Sequence, residues 1–218
     1  SGRGTLILNA ASLAGGGARK TTINEGTLQI SDLDQIGGDT GALVFAGGTL
    51  RIGAGFADDL SLRGISFLSG GGIINTNGND ITLLGSLGSG TGGFTKTGTG
   101  IMTLNAAATY SGGTVVNEGT LAIGAANATG TGALTVNGGA TLDLGANSLT
   151  TGLVTTQGAS PAINGTGTIT SNAGFFLNHT GDTTISAVLA GSVGLRKAQT
   201  SNVTLNGANS FSGQVEVL

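Results

Sequence analysis

The sequence lacks cysteine and tryptophan, and its 218 residues include only one proline, one histidine, one methionine and one tyrosine. Without cysteine, the chain can form no disulfide framework, zinc ribbon or covalent haem attachment. A collagen triple helix is excluded because proline is rare and glycine does not occupy every third position. No run approaches the roughly 18 apolar residues that a membrane helix requires.

Charge is also scarce, since only 9% of the residues are charged and the net charge is −3. Eight lysines and arginines give no basic surface for nucleic acid, whose binding depends on phosphate neutralisation. A disordered chain is poor in aliphatic residues, whereas 38% of this chain is hydrophobic. Cytosolic proteins rarely combine so little charge with 44 glycines. We therefore expect an exported, β-rich protein.

Internal repeats organise the chain, and their copies lie near residues 4–53, 94–145 and 195–218. Residues 21–30, TTINEGTLQI, return at 114–123 as TVVNEGTLAI. Apolar and polar residues alternate within each copy: in TLAI at 120–123, Leu121 and Ile123 fall on one side. This period of two is typical of half-buried strands, and glycine clusters separate one strand from the next.

A repeat of about 20 residues with short strands predicts an all-β fold, a single-stranded right-handed parallel β-helix (β-solenoid) of about ten turns. Equivalent side chains should then stack in columns, one turn above another. The leucines expected in interior columns are Leu28, Leu50, Leu121 and Leu142. We also expect asparagine ladders at inward-facing corners. The asparagines expected there are Asn9, Asn24, Asn105, Asn117 and Asn206.

The second copy carries the most complete motif, KTGTGIMTLNAAATYSGGTVVNEGTL at residues 96–121. It resembles the passenger-associated β-strand repeat of bacterial autotransporters, the type V secretion family. The third copy has Phe211 where that motif has tyrosine, and residues 198–201 replace its alternating glycines. The first copy has Leu13 in place of the aromatic residue and extra residues around 18–20. The structural repeat positions are Asn105, Tyr110, Gly112, Gly113, Asn117, Gly119, Leu121, Asn206, Phe211 and Gly213.

The resemblance implies export through an outer-membrane β-barrel translocator outside this chain, and folding at the cell surface. Proteins with this repeat include adhesins, self-associating proteins, toxins and stalks. We interpret the chain as a structural or adhesive rod, without cofactors or enzymatic activity, that mediates adhesion or self-association or acts as a stalk. The expected partners are host-surface or sibling-cell molecules, or further copies of the chain. Because the last copy stops in mid-repeat and neither end resembles a polar cap, we interpret residues 1–218 as one segment of a longer passenger rod.

A surface enzyme that acts on polysaccharides is the alternative function, since paired carboxylates could serve as general acid and base or bind Ca²⁺. The candidates are Asp58 with Asp59, then Asp80, and, as weak metal ligands, Asp32, Asp34 and Asp39. We favour solvated loop residues for all of them, and therefore expect no catalytic, cofactor or metal site. An ice-binding solenoid would need a regular Thr-x-Thr array, and residues 168–170 are too isolated to provide one.

Four further features favour structural roles. His179, the only histidine, is expected to be a turn residue, and no Gly-x-Ser-x-Gly motif is present. Lys96 and Lys197 occupy equivalent repeat positions and are expected to point outward. Phe175 and Phe176 are adjacent, so alternation should place one ring outward or in a corner. That ring could mark a contact patch, but we favour a bent loop that covers it. Residues 88–93, GSGTGG, match a dinucleotide-binding pattern only by chance at this glycine content.

Overall fold

The computed structural model describes residues 4–9 and 19–218, which form a parallel β-solenoid of about ten turns. These residues contain no α-helix, and two short 3₁₀ turns lie at Leu33–Ile36 and Leu60–Leu62. The predicted solenoid is confirmed. Leu13, together with the segment that follows it in the first repeat copy, lies outside the described residues.

One sheet, here called the long sheet, runs along the whole rod with eleven parallel strands. At roughly 4.8 Å per strand, its ten steps span about 48 Å. Its strands are Thr5–Ile7, Thr27–Ile30, Thr49–Ile52, Gly72–Asn75, Phe94–Thr97, Thr114–Val116, Leu134–Asn137, Val154–Gly158, Phe175–His179, Leu195–Ala198 and Val215–Val217.

Three smaller parallel sheets complete the coil. The seven-stranded sheet contains Ile81–Leu83, Ile101–Leu104, Thr120–Ile123, Thr141–Asp143, Ala162–Asn164, Thr183–Ile185 and Val203–Leu205. The four-stranded sheet contains Thr21–Ile23, Ala42–Phe45, Gly64–Phe67 and Ser89–Gly90. The three-stranded sheet contains Leu149–Thr151, Thr168–Ser171 and Val188–Ala190. Strands of the last two sheets precede long-sheet strands in the chain.

The length of a turn decides what fills its corner. Val116 pairs with Val136 and Leu50 pairs with Ile74, so the turn that begins at Leu50 is the longer of the two. The longer turns near the start of the described chain accommodate the two 3₁₀ turns. Asp32 and Asp59 cap these turns, because each carboxylate accepts the backbone N–H of the residue two positions ahead.

The interior is built from the predicted aliphatic columns. Leu28 pairs with Leu50 in the long sheet, and Leu121 pairs with Leu142 in the seven-stranded sheet. All four are buried. Stacked rings add a column that the sequence analysis did not anticipate: the ring centroids of Phe45 and Phe67 are 5.2 Å apart. Offset or tilted pairs of this kind stabilise beyond the area they bury.

The predicted inward asparagine ladders are wrong. Asn9, Asn24, Asn105 and Asn206 are exposed, and Asn117 is half-buried. The alternation explains the difference, because Leu104 and Val116 point inward and the residue after each must point outward.

Glycine is required where neighbouring turns approach each other most closely. Gly119 has a φ of +62°, and a Cβ there would lie 2.5 Å from the carbonyl oxygen of Gly98. A Cβ on Gly112 would lie 2.3 Å from the backbone of Gly92. The glycines of the repeat motif therefore allow adjacent backbones to stack.

Candidate functional site

The outward face of the long sheet carries a continuous column of β-branched side chains. Each member pairs with the next one along the rod. The column consists of Thr27, Thr49, Ile73, Thr95, Val115, Thr135 and Thr155. All seven are half-buried, so they form a flat surface of methyl and hydroxyl groups with one step per turn.

A second outward column lies beside the first and is mainly amide. The Asn137 side chain donates to Asn117 Oδ1, and Gln157 Nε2 donates to Asn137 Oδ1 at 2.7 Å. One turn beyond, Gln199 Nε2 donates to Asn178 Oδ1 at 3.1 Å. An amide ladder therefore exists, but on the solvent side of the sheet rather than in the interior.

These two columns, here called the long-sheet face, form an uncharged surface over several turns. Between Arg51 and Arg196 no described residue in either column is charged. A shallow groove of about 350 Å³ follows one edge of the face, between Thr95 and the glycines Gly71, Gly93 and Gly113. A regular, neutral and rigid surface of this kind can make many weak contacts with an extended partner.

The carboxylates proposed for catalysis hold neighbouring turns together. Asp58 Oδ2 accepts the backbone N–H of Leu33 at 2.7 Å, and Asp59 Oδ2 accepts that of Leu84 at 3.2 Å. Asp80 Oδ1 accepts the N–H of Ile101 at 2.7 Å. Asp58, Asp59 and Asp80 line one cleft of about 310 Å³, and in each an oxygen is engaged by a backbone N–H of another segment.

The three weak metal candidates do not converge. Asp32 caps a 3₁₀ turn, and its Oδ1 accepts the N–H of Asp34 at 2.7 Å. Asp39 is exposed, and its charge acts on the guanidinium of Arg63. Across residues 4–9 and 19–218, no group of three or more acidic, histidine or cysteine side chains could hold a metal ion.

Lys96 is not the outward charge that we expected, because it is fully buried. Its position explains this: Phe94 points inward, so Lys96, two residues later on the same strand, also points inward. The Lys96 ammonium donates to Gly98 O at 2.6 Å, Glu118 O at 3.0 Å, Thr76 Oγ1 at 3.2 Å and Thr97 O at 3.3 Å. Burial lowers its pKa from 10.5 to about 8, although Glu118 and Asp80 oppose the change.

Lys197 is the equivalent residue in the last copy and is also buried, against expectation. Its ammonium donates to the carbonyl oxygens of Ala198 and Gln199. Both lysines thus occupy the interior column of the long sheet and saturate carbonyl groups at the corner that follows. The lysine of the motif is therefore a corner residue of the core.

His179 is buried and is the last residue of a strand. The expectation that it is a turn residue was therefore also wrong. Its Nδ1 lies 2.8 Å from the carbonyl oxygen of Gly181, which fixes the proton on Nδ1. Ser201 Oγ donates to His179 O at 2.6 Å and lies 3.2 Å from Nδ1. Because Nδ1 carries a proton, it cannot accept one from Ser201 as a catalytic base would.

The aromatic repeat positions pack in the core. Tyr110 is fully buried, its hydroxyl lies 2.7 Å from Thr114 Oγ1, and burial raises its pKa to about 12. Phe211, the equivalent residue, is half-buried, with its ring 5.9 Å from that of Phe175. A Cβ on Gly213 would lie 2.3 Å from the backbone N of Gly194, as at Gly112.

Phe175 and Phe176 lie in a regular strand rather than under a bent loop. Phe175 is buried and Phe176 points outward, with the guanidinium of Arg196 5.6 Å from its ring centroid. Arg196 also forms a salt bridge of 3.2 Å with Glu216. The long-sheet face therefore changes from neutral to charged at this point. Ser89–Gly90, within the glycine-rich pattern, is likewise a strand.

Arg63 is a structural residue that the sequence analysis missed. It is buried, and its guanidinium donates to Gly38 O at 2.5 Å and Arg19 O at 2.6 Å. Burial lowers its pKa, while Asp39 opposes this effect. Its partners lie 25 and 44 residues away in sequence, so no local pattern could have identified them.

The family comparison agrees with this architecture. Residues 1–30, 94–123 and 195–218 match the model of the passenger-associated-transport-repeat. Three segments of the chain thus resemble passenger-associated transport repeats. The predicted resemblance to an autotransporter passenger domain is thus confirmed, and this family implies export to the cell surface or extracellular space and association with an outer-membrane translocator.

No curated protein and no solved structure matches the chain. Within the described ranges, no helix is long and apolar enough to cross a membrane. The repeats and the solenoid fit an autotransporter passenger.

Proposed function

We propose that this chain is a structural and adhesive section of a cell-surface passenger rod, and that it acts without catalysing a reaction. The long-sheet face is the surface proposed to contact host-surface molecules, molecules of sibling cells or another copy of the rod. The observation that carries the proposal is the length of neutral, in-register surface from Ile73 to Thr155.

Rigidity supports a mechanical role. Among the described residues, eleven long-sheet strands pair in succession along the rod, and aspartates such as Asp58 and Asp59 connect a turn to the one on either side. The engagement of these carboxylates by backbone N–H groups favours a structural role over acid–base chemistry. A stiff support presents each weak contact at a fixed spacing, so that many contacts can form together.

Surface charge tests the proposal on cells that display the rod. Thr95→Lys with Thr135→Lys places two cations on the long-sheet face, and we expect cell aggregation or adhesion to fall several-fold. The control is Thr103→Lys with Thr150→Lys, which adds the same charge to the seven-stranded and three-stranded sheets. Deletion of whole turns gives the reference for complete loss. If aggregation and adhesion survive both the deletion and the face variant, the segment is only a spacer.

A further inference from the structure

One buried histidine lies where the turn of residues 175–194 meets the turn of residues 195–218. His179 is fully buried, and Ser201 of the following turn contacts both its ring and its carbonyl oxygen. The Nδ1 proton is directed to Gly181 O. The other ring nitrogen, Nε2, is buried without a hydrogen-bond partner.

We propose that His179 is an acid-sensitive latch that holds the turn of residues 195–218 onto the turn before it. In its neutral form the ring fills the corner, and its unpartnered nitrogen carries only a lone pair. Protonation converts Nε2 into a charged donor, buried at a position where it has no hydrogen-bond partner. Water must then enter, and the contacts with Ser201 are lost.

Burial is the main reason why the protonated form of His179 is unfavourable, and the two nearby charges act in opposite directions. Lys197, on the adjacent strand of the long sheet, is buried, and among the described residues no salt bridge involves it. Asp182, in the loop that follows His179, is exposed to solvent, so its attraction is screened. The preceding strand contributes only the neutral Thr156 and Gly158 at this corner. Burial therefore lowers the pKa of His179, with Lys197 acting in the same direction and the Gly181 carbonyl and Asp182 opposing.

Acid acts on this junction in two separate steps. A histidine whose folded pKa is lowered stabilises the fold above 6.5 and loses that contribution as the pH falls. Asp182 binds the same junction, since Oδ1 accepts Asn202 N–H at 2.8 Å and Oδ2 accepts Asn202 Nδ2–H at 3.0 Å. These bonds lower the pKa of Asp182 below 3.8, so they persist at pH 5.5. Mild acid therefore tests His179 while the Asp182 bonds remain in place.

The experiment combines an NMR titration with hydrogen exchange. His179 is the only histidine, so its imidazole signals titrate without overlap. We expect a midpoint below 6.5. After correction for intrinsic rates, amide protection over residues 199–205 should fall by about tenfold at pH 5.5 relative to pH 7.5. Residues 101–104 and 120–123, far along the rod, should keep their protection.

Two variants distinguish an effect of His179 protonation from a destabilisation of the whole fold by acid. His179→Gln cannot be protonated, and we expect it to keep its protection at pH 5.5. If that variant fails to fold, Lys197→Met removes the neighbouring charge and should raise the titration midpoint of His179 and reduce the loss of protection. A midpoint at or above 6.5, or an equal acid loss in His179→Gln, would overturn the proposal. Neither readout depends on whether the rod is adhesive.

Discussion

The buried ammonium of Lys96 should give this rod an unusual dependence of stability on pH. Lysine in the unfolded chain keeps its proton up to about 10.5, whereas Lys96 in the folded chain releases it near 8. Between these values the unfolded state binds more protons, so the free energy of unfolding rises with pH. Each pH unit adds about 1.4 kcal/mol, and the whole interval adds on the order of 3 kcal/mol.

Lys96→Met isolates this contribution. At pH 7 the variant loses hydrogen bonds to Thr76 and to three carbonyl groups, which costs about 1–3 kcal/mol. It also removes a buried charge, which offsets that cost, so we expect the variant to lie within about 1 kcal/mol of the unmodified chain. At pH 10 the buried amine of Lys96 is neutral in the folded chain, so the substitution no longer removes a buried charge. The variant should then be less stable than the unmodified chain by about 2–3 kcal/mol.

The assay is denaturant unfolding followed by circular dichroism at pH 7, 8, 9 and 10. Lys20→Met, at an exposed position, is the matched control and should follow the unmodified chain at every pH. A constant difference between the unmodified chain and Lys96→Met across this range would refute the reasoning.

Three further substitutions test individual parts of the fold through their unfolding free energies. Gly112→Ala should destabilise the fold by more than about 2 kcal/mol, because its Cβ would lie 2.3 Å from the backbone of the adjacent turn. The control is Gly64→Ala, whose Cβ meets only an atom at 4.0 Å and which should change the stability little. Equal effects of the two substitutions would contradict the close approach at Gly112. Tyr110→Phe removes the hydroxyl partner of Thr114 and should lower the free energy of unfolding by about 1–2 kcal/mol. Adding Thr114→Val to the same chain should recover part of that loss. An unchanged stability of Tyr110→Phe would argue against the hydrogen bond. Arg63→Met should cost about 2–4 kcal/mol and reduce hydrogen-exchange protection mainly over residues 19–45, so loss spread evenly along the rod would count against this interpretation.

The periodicity of the sequence predicts the solenoid well, because each strand alternates and each turn repeats. Leu28, Leu50, Leu121 and Leu142 are correctly placed in interior columns. The same rule, applied from Phe94, would have placed Lys96 inside. The expectation that a charged side chain faces water outweighed the alternation, and that was the error.

Other features depend on contacts between turns and have no local signature. The carboxylate of Asp58 finds its N–H partner 25 residues away, and the guanidinium of Arg63 reaches a carbonyl 44 residues away. The outward amide ladder of Asn117, Asn137 and Gln157 emerges only when the register is known. The length of each turn, which differs from one part of the rod to another, sets that register.

The equal spacing of Val116, Val136 and Thr156 along the chain has an evolutionary consequence. Val136 occupies the position equivalent to Val116 on the next turn. Removing residues 117–136 would therefore join Val116 directly to Asn137, the residue that normally follows Val136. The shortened chain would keep every remaining side chain on its original side, and the molecule would lose one step of roughly 4.8 Å. In-frame duplication would add one step in the same way. Such a gene can thus change the reach of its product in small, equal increments without redesigning the interior.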